Sequence, residues 1–386
     1  MKLLFDLVAT QPNISGKRHG GGRYGEIVLL RMIERDVKFG CFYDGNKWLN
    51  PEIRKVCERA GIVLHDINKS SVEQIIQNEN YTRLYSCLPG RLSELSCCEV
   101  YGTLHGLREF ETPFDNIYYS YKNSFKEIVK FTIKKLFLKY FLSYKHKKYL
   151  SRYINSSLKL ITVSEHSRYA LLSYFPEMGK DRMKVFYSPN TSSREKIQKN
   201  KSIPKYFLAV SGNRWEKNNL RAIIAFDRLV SEKRISSDIK MIVTGTKGDS
   251  FKYKIQNPDR FSFPGYVDDI ELESLYANAF LFVYPSLNEG FGYPPIEALR
   301  YNVPVIASPL SSIAEICAGG ALYFNPFSVE EIMNRMMMML DSKIYEEYVE
   351  KGKTQYKKIV ERQTKDLDGL IDYIIKENCK QSKNGY

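Results

Sequence analysis

What the chain lacks bounds it first. No run of eighteen or more uninterrupted apolar residues occurs, so no helical membrane span is expected. The seven cysteines (Cys41, Cys57, Cys87, Cys97, Cys98, Cys317 and Cys379) are odd in number, scattered and without CxxC pairing. That excludes a zinc ribbon, a dithiol redox motif and a disulfide scaffold, and points to reduced thiols in a cytoplasmic protein. The opening Met1-Lys2-Leu3-Leu4-Phe5-Asp6 is interrupted by an acid and lacks a small-residue cleavage site, so it reads as a first strand rather than a signal peptide. No spaced His or Asp cluster suggests a metal site, and no internal repeat is visible.

What is present is a chain of 386 residues, 43% hydrophobic and 13% aromatic, long enough for two packed domains. Its formal net charge of +14 favours a polyanionic partner such as phosphate groups, an anionic membrane surface or nucleic acid. In the first half, apolar runs at 3–8, 39–43, 83–86, 100–104 and 158–163 alternate with amphipathic stretches. The alternation resumes after a polar, basic stretch near mid-chain, at 206–210, 239–244, 280–284 and 304–307. Two doubly wound α/β domains with parallel sheets follow from this pattern. The expected division is an N-terminal domain at 1–190, a linker at 191–205, a C-terminal domain at 206–363 and a final helical segment at 364–386.

Residues 122–152 hold ten Lys or Arg against one acid, Glu127. Phe125, Ile128, Val129, Ile133, Leu136, Phe137, Tyr140 and Tyr144 recur at three- and four-residue steps, which predicts a basic amphipathic helix within the first domain. Such a helix can lie on an anionic membrane or can pack on its own domain with a solvated lysine face.

The densest chemistry lies at Asn288-Glu289-Gly290-Phe291-Gly292-Tyr293-Pro294-Pro295-Ile296-Glu297. Glycines after a strand leave backbone N–H groups open, and proline suits the first turn of the helix that follows. Strand, glycine loop and helix N-terminus together form an anion site at the carboxyl edge of a parallel sheet. Glu289 and Glu297 can each accept paired hydrogen bonds from vicinal hydroxyls, although either could be a plain loop or helix-start acid. Arg214 and Lys217 follow the strand at 206–210 and supply two cations for a diphosphate.

These residues, with the following Asn302-Val303-Pro304-Val305-Ile306-Ala307-Ser308, closely resemble the E-x7-E signature of the retaining glycosyltransferases of family 4. The resemblance implies a GT-B fold with two Rossmann-like domains, an interdomain cleft and a C-terminal helix crossing back to the first domain. It implies that Glu289 faces the donor sugar, Glu297 holds the ribose hydroxyls, and Gly290, Phe291 and Gly292 line phosphate and sugar. Arg214 and Lys217 then meet the diphosphate, and His105, in Tyr101-Gly-Thr-Leu-His105, stands near the reacting sugar. Gly21 and Gly22, in a turn whose Gly20, Gly22 and Gly25 literally spell GxGxxG, face the phosphate; a dinucleotide site is disfavoured because no acidic residue follows at the usual distance. Gly245, Tyr266 and Val267 belong beside the nucleotide, and Arg108, Glu109 and Ser164 are acceptor-side candidates.

The implied activity is a metal-free hexosyltransferase, with a UDP- or GDP-sugar as donor substrate, no cofactor and a glycan or lipid-linked acceptor. Bacterial surface polysaccharide biosynthesis is the expected setting, in the cytoplasm or peripherally on the inner face of its membrane. The alternatives are a nucleotide-sugar 2-epimerase on the same fold and, from charge alone, a basic nucleic-acid-binding protein, although no nucleic-acid motif is present.

Overall fold

The computed structural model describes residues 2–12, 20–122, 124–153, 158–190, 196–200, 202–246 and 255–376. His19, positions 191–195 and 201 of the expected linker, and 377–386 of the expected final segment lie outside them. The chain divides into two compact units: Met1–His105 with Tyr144–Ser192 and Arg362–Tyr386, and Gly106–Ser143 with Ser193–Glu361.

The first unit is built on seven parallel strands: β1 (Leu3–Asp6), β2 (Phe39–Tyr43), β3 (Leu64–Asp66), β4 (Arg83–Ser86), β5 (Glu99–Leu104), β6 (Lys159–Thr162) and β7 (Met183–Val185). Their order is β3-β2-β1-β4-β5-β6-β7. All four residues of β1 and of β4 are buried, as befits central strands of a parallel sheet covered on both faces. Around it lie α1 (Gly20–Glu34), α2 (Pro51–Arg59) and α3 (Val72–Asn78), the last opened by a reciprocal Ser71–Gln74 capping box.

The glycine stretch expected as a turn is the first turns of α1 itself. Gly25 is there because of close approach: a Cβ would come 2.7 Å from Cys87 Sγ and 2.8 Å from Thr10 Cγ2. A helix can therefore press against the ends of β1 and β4 only if this position is bare.

The second unit has six parallel strands: β8 (Tyr206–Ala209), β9 (Lys240–Thr244), β10 (Phe261–Gly265), β11 (Leu281–Tyr284), β12 (Val305–Ala307) and β13 (Ala321–Tyr323), ordered β10-β9-β8-β11-β12-β13. Its chain also includes α4 (Arg108–Glu111) and α5 (Phe125–Leu136), then α8 (Asn219–Ser231), α9 (Asp269–Asn278), α10 (Tyr293–Arg300), α11 (Ser312–Cys317) and α12 (Val329–Met338), while α6 (Leu138–Tyr153) and α7 (Glu165–Tyr174) fall between α5 and β8. Phe207, Phe226, Leu281 and Val283 pack in one core cluster, each contributing roughly 1.5–3 kcal/mol through removal from water.

Three expectations are corrected. The segment 106–143, expected in the first domain, makes its contacts in the second unit. Arg221 forks onto Asp115 at 3.0 and 2.9 Å, the Leu220 N–H donates to Tyr121 at 2.8 Å, and Phe131 stacks on Tyr118 with centroids 3.8 Å apart. The single basic helix at 122–152 is two helices, α5 and α6, broken at Phe137. The final helix is also longer than the sequence pattern indicates: α13 spans Ser342–Ile375. Its early residues pack in the second unit, where Gln355 donates to the Ile316 carbonyl at 2.7 Å. Its last turns pack in the first, where Asp368 pairs with Arg31 at 2.8 Å and Arg83 caps the Ile374 carbonyl at 2.7 Å.

In the first unit Asp6 is buried at the end of β1, accepting from Ser86 Oγ at 2.6 Å and the Ala9 N–H at 3.1 Å. Burial outweighs these bonds and pushes its carboxyl up to about 6. A carboxyl raised in the folded state favours folding below its unfolded value and loses that advantage as pH rises through the folded one. Asp6→Asn should therefore raise the melting temperature at pH 7.5 by about 2–4 °C, with the gain shrinking as pH falls through about 6 and vanishing only below the unfolded value of 3.8 in a pH series of thermal melts.

Candidate functional site

In the second sheet the strand order reverses between β8 and β11, which are hydrogen-bonded neighbours. Loops leaving adjacent strands at such a point run to opposite faces and leave a crevice at the carboxyl edge. The loop after β8 passes through Ser211 (φ 59°) and a 3-10 turn at Trp215–Lys217, then Asn218 (φ 57°), before α8 begins. Asn218 locks the turn by donating to the carbonyls of Pro285 and Pro326 at 3.1 and 2.7 Å. The loop after β11 ends at Gly292, whose φ of 99° suits glycine, with proline in the first turn of α10.

The two loops meet in a buried ion pair. Lys217 Nζ donates to Glu289 Oε1, and both residues are almost fully buried. The same Oε1 accepts Tyr284 OH at 2.6 Å and Ser286 Oγ at 2.6 Å, and Lys217 also reaches Tyr284 OH at 3.0 Å. Burial pushes the Glu289 carboxyl up, but Lys217, Ser286 and Tyr284 together hold it below its usual value. Burial and the neighbouring Arg214 and Arg108 pull the Lys217 ammonium down, against Glu289. Every one of these carboxylate bonds goes to Oε1.

The main chain of this loop is pinned as firmly. Ser311 Oγ accepts the Glu289 N–H at 2.8 Å, and Ser312 Oγ donates to the carbonyls of Glu289 and Phe291 at 3.0 Å each. Arg214 sits beside the pair with its Nε and Nη2 on Glu216 Oε1 at 3.0 and 2.6 Å, and Arg108 lies 3.7 Å from the same oxygen. Glu297, half-buried on α10, lies against Tyr276, whose phenol is raised by burial and further by that charge. Gly245 (φ 80°) lets the β9 loop approach the β8 loop, since a Cβ there would be 3.0 Å from Ser211 Cα. Beyond β10, Tyr266 is exposed and Val267 buried.

The structure thus brings Arg108, Arg214, Lys217 and Glu289 together in the second unit. Gly290, Phe291 and Gly292 continue the same loop into Glu297. Glu109 follows Arg108 in α4.

His105, Gly21, Gly22 and Ser164 belong to the first unit. His105 Nε2 is 3.0 Å from the Cys87 carbonyl and its ring meets Tyr24 edge-on at 4.9 Å. Gly21 faces Leu88, whose Cδ1 would be 3.1 Å from an added Cβ, and Gly22 is buried in the same helix start. Ser164 caps α7: its Oγ accepts the Ser167 N–H at 3.0 Å.

Sequence reading missed Glu216, Tyr284, Ser286, Ser311 and Ser312. Glu216 had a signal, lying between two cations already singled out. Tyr284 reads as one more core aromatic of a strand, and the serines carry no spacing that ties them to Glu289.

Residues 191–376 match the family described as Glycosyl transferases group 1. The chain is 27% identical over 383 residues to O-antigen chain mannosyltransferase B of Escherichia coli, an alignment that covers 90% of this chain and 92% of that protein. It is 33% identical over 156 residues to O-antigen chain mannosyltransferase RfbU of Salmonella typhimurium, where it spans 42% of the relative. Among solved structures, Anabaena HepE in complex with UDP and glucose superposes with a TM-score of 0.62 at 15% identity, covering 97% of this chain and 99% of that one.

The Lys217–Glu289 pair should behave as a unit. Lys217→Met alone is expected to destabilise the second unit by about 3–5 kcal/mol, because it strands a buried carboxylate, and adding Glu289→Gln should recover a large part of that loss in denaturant titrations. Residues 191–376 thus match the glycosyl transferases group 1 family, in a chain whose two parallel sheets are those of the GT-B fold.

Proposed function

We propose that the protein is a retaining hexosyltransferase of the family 4 type that moves a sugar, mannose by analogy with its relatives, from a nucleoside diphosphate onto a glycan or lipid-linked acceptor in bacterial surface polysaccharide synthesis. The observation that carries this reading is the cluster of Lys217, Arg214 and Glu289 at the point where the second sheet reverses its strand order. Two cations beside a glycine loop and a helix start form an electrostatic cradle for a diphosphate, whose charge grows as the glycosidic bond breaks. Glu289 Oε2 is then available to a hydroxyl of the donor sugar, and Glu297, on the first turns of α10, to the ribose. In this mechanism the departing diphosphate takes the acceptor proton and the acceptor attacks from the leaving group's own face.

In this reading the acceptor is met at an anionic membrane. Among the described residues no helix is long and apolar enough to cross one. On α5 and the start of α6, however, Phe125, Ile133, Leu136, Phe137 and Tyr140 are each more than half exposed, at 80%, 51%, 75%, 56% and 76%. Phe131 turns inward, onto Tyr118, Phe114 and Trp215. The helix is therefore fixed by one face and presents an apolar stripe on another, flanked by the exposed Lys126, Lys130 and Lys135. Each such cation contributes about 1 kcal/mol near an anionic surface.

Glu289→Gln should lower sugar transfer by roughly 10²–10³ while circular dichroism stays native; retained turnover counts decisively against the reading. Thermal stabilisation by a panel of UDP- and GDP-sugars identifies the donor. For the membrane, pelleting with phosphatidylglycerol vesicles but not phosphatidylcholine vesicles is expected. Changing Phe125, Leu136 and Tyr140 to Ser should abolish that pelleting, and undiminished pelleting of this variant removes the stripe from the argument.

A further inference from the structure

The donor-site cations already have an anion. Arg214 places two nitrogens on a single oxygen of Glu216, at 3.0 and 2.6 Å, and Arg108 approaches the same atom at 3.7 Å. Glu216 shows only 13% of its side chain to solvent, so water screens this interaction weakly. Its main chain acts separately, because the Glu216 carbonyl accepts the Leu287 N–H at 2.8 Å and so ties the β8 loop to the β11 loop. Three cations, Arg108, Arg214 and Lys217, thus face two carboxylates, Glu216 and Glu289. Glu289 is held by Lys217, Tyr284 and Ser286, whereas the Glu216 carboxylate is held by the two arginines.

We propose that Glu216 is a built-in counter-ion of the donor-phosphate site, which competes with the diphosphate for Arg214 and so keeps the nucleoside diphosphate product from being held too tightly. This rests on the reading of Arg214 and Lys217 as diphosphate cations. Glu216 touches no reacting atom in this scheme; it is a positioning residue that acts through Arg214. Its charge lowers the attraction of the cradle for any phosphate, donor or product. Product carries the greater negative charge after the bond breaks, so it gains the most from removal of Glu216 and leaves more slowly.

The test is calorimetric titration of UDP and GDP, and of uridine and guanosine, into wild type, Glu216→Gln, Glu216→Asp and Arg214→Met, at low salt and in high salt of about 0.5 M. Glu216→Gln keeps an oxygen for Arg214 and the main-chain tie while removing the charge. It is expected to bind the favoured diphosphate about tenfold more tightly at low salt, with a smaller gain at high salt and unchanged affinity for the nucleoside. Glu216→Asp, which withdraws the carboxylate from Arg214, should show an intermediate gain, and this variant carries the test if the glutamine form fails to fold. In steady state kcat and the donor KM should fall together, a split that a general loss of structure does not produce. Diphosphate affinity that is unchanged or weaker in both Glu216 variants, while Arg214→Met weakens it, overturns the proposal and leaves the donor site standing. Unchanged affinity in Arg214→Met, or no binding of either diphosphate to wild type, overturns the donor-site reading and this inference with it.

Discussion

The second unit is organised around one buried contact, the ammonium of Lys217 against the carboxylate of Glu289. Two ionised groups are costly to bury, and the cost is offset only because each has further partners: Tyr284 for both, Ser286 for the acid. Those partners come from the end of β11 and the turn after it, so the pair forms only when β8 and β11 lie side by side with their loops interlocked. The left-handed Asn218, the glycine at 292 and the serines at 311 and 312 all serve that interlock. A cluster of buried and half-buried charges is the consequence of a packing solution at the sheet's reversal point.

The excursion at 106–143 shows how chain order and physical neighbourhood part company. It leaves the end of β5 in the first unit, yet its anchors described above are in the second: Asp115 to Arg221, Tyr121 to the start of α8, and the stacked rings of Tyr118 and Phe131, both edge-on to Trp215. Trp215 belongs to the same turn as Arg214, Glu216 and Lys217. The helix that presents the apolar stripe is thereby packed edge-on against the turn that carries Arg214 and Lys217.

Much of this was legible beforehand. The alternation of apolar runs announced two parallel α/β sheets, because strands covered on both faces must be apolar nearly throughout. The glycine loop with its flanking acids, and the Arg-Trp-Glu-Lys turn, were singled out beforehand, and the structure brings Arg214, Lys217 and Glu289 together. Short strands escaped notice: β3 and β7 are three residues each, too brief to carry a period. The run of α13 across the expected boundary at 363 was also hidden, since the helix is apolar toward different partners along its length.

The sequence by itself determined the fold class, the reversal-point loops and the identity of the acids and bases in them, since these follow from periodicity and from neighbours close along the chain. Only the tertiary structure decided which carboxylate oxygen is occupied, that Glu216 holds Arg214, that the basic segment breaks at Phe137 with its apolar stripe outward, and that 106–143 belongs with the second unit. Those outcomes depend on contacts between residues far apart in the chain, such as the 106 positions from Asp115 to Arg221 and the 72 from Lys217 to Glu289, which no local pattern encodes.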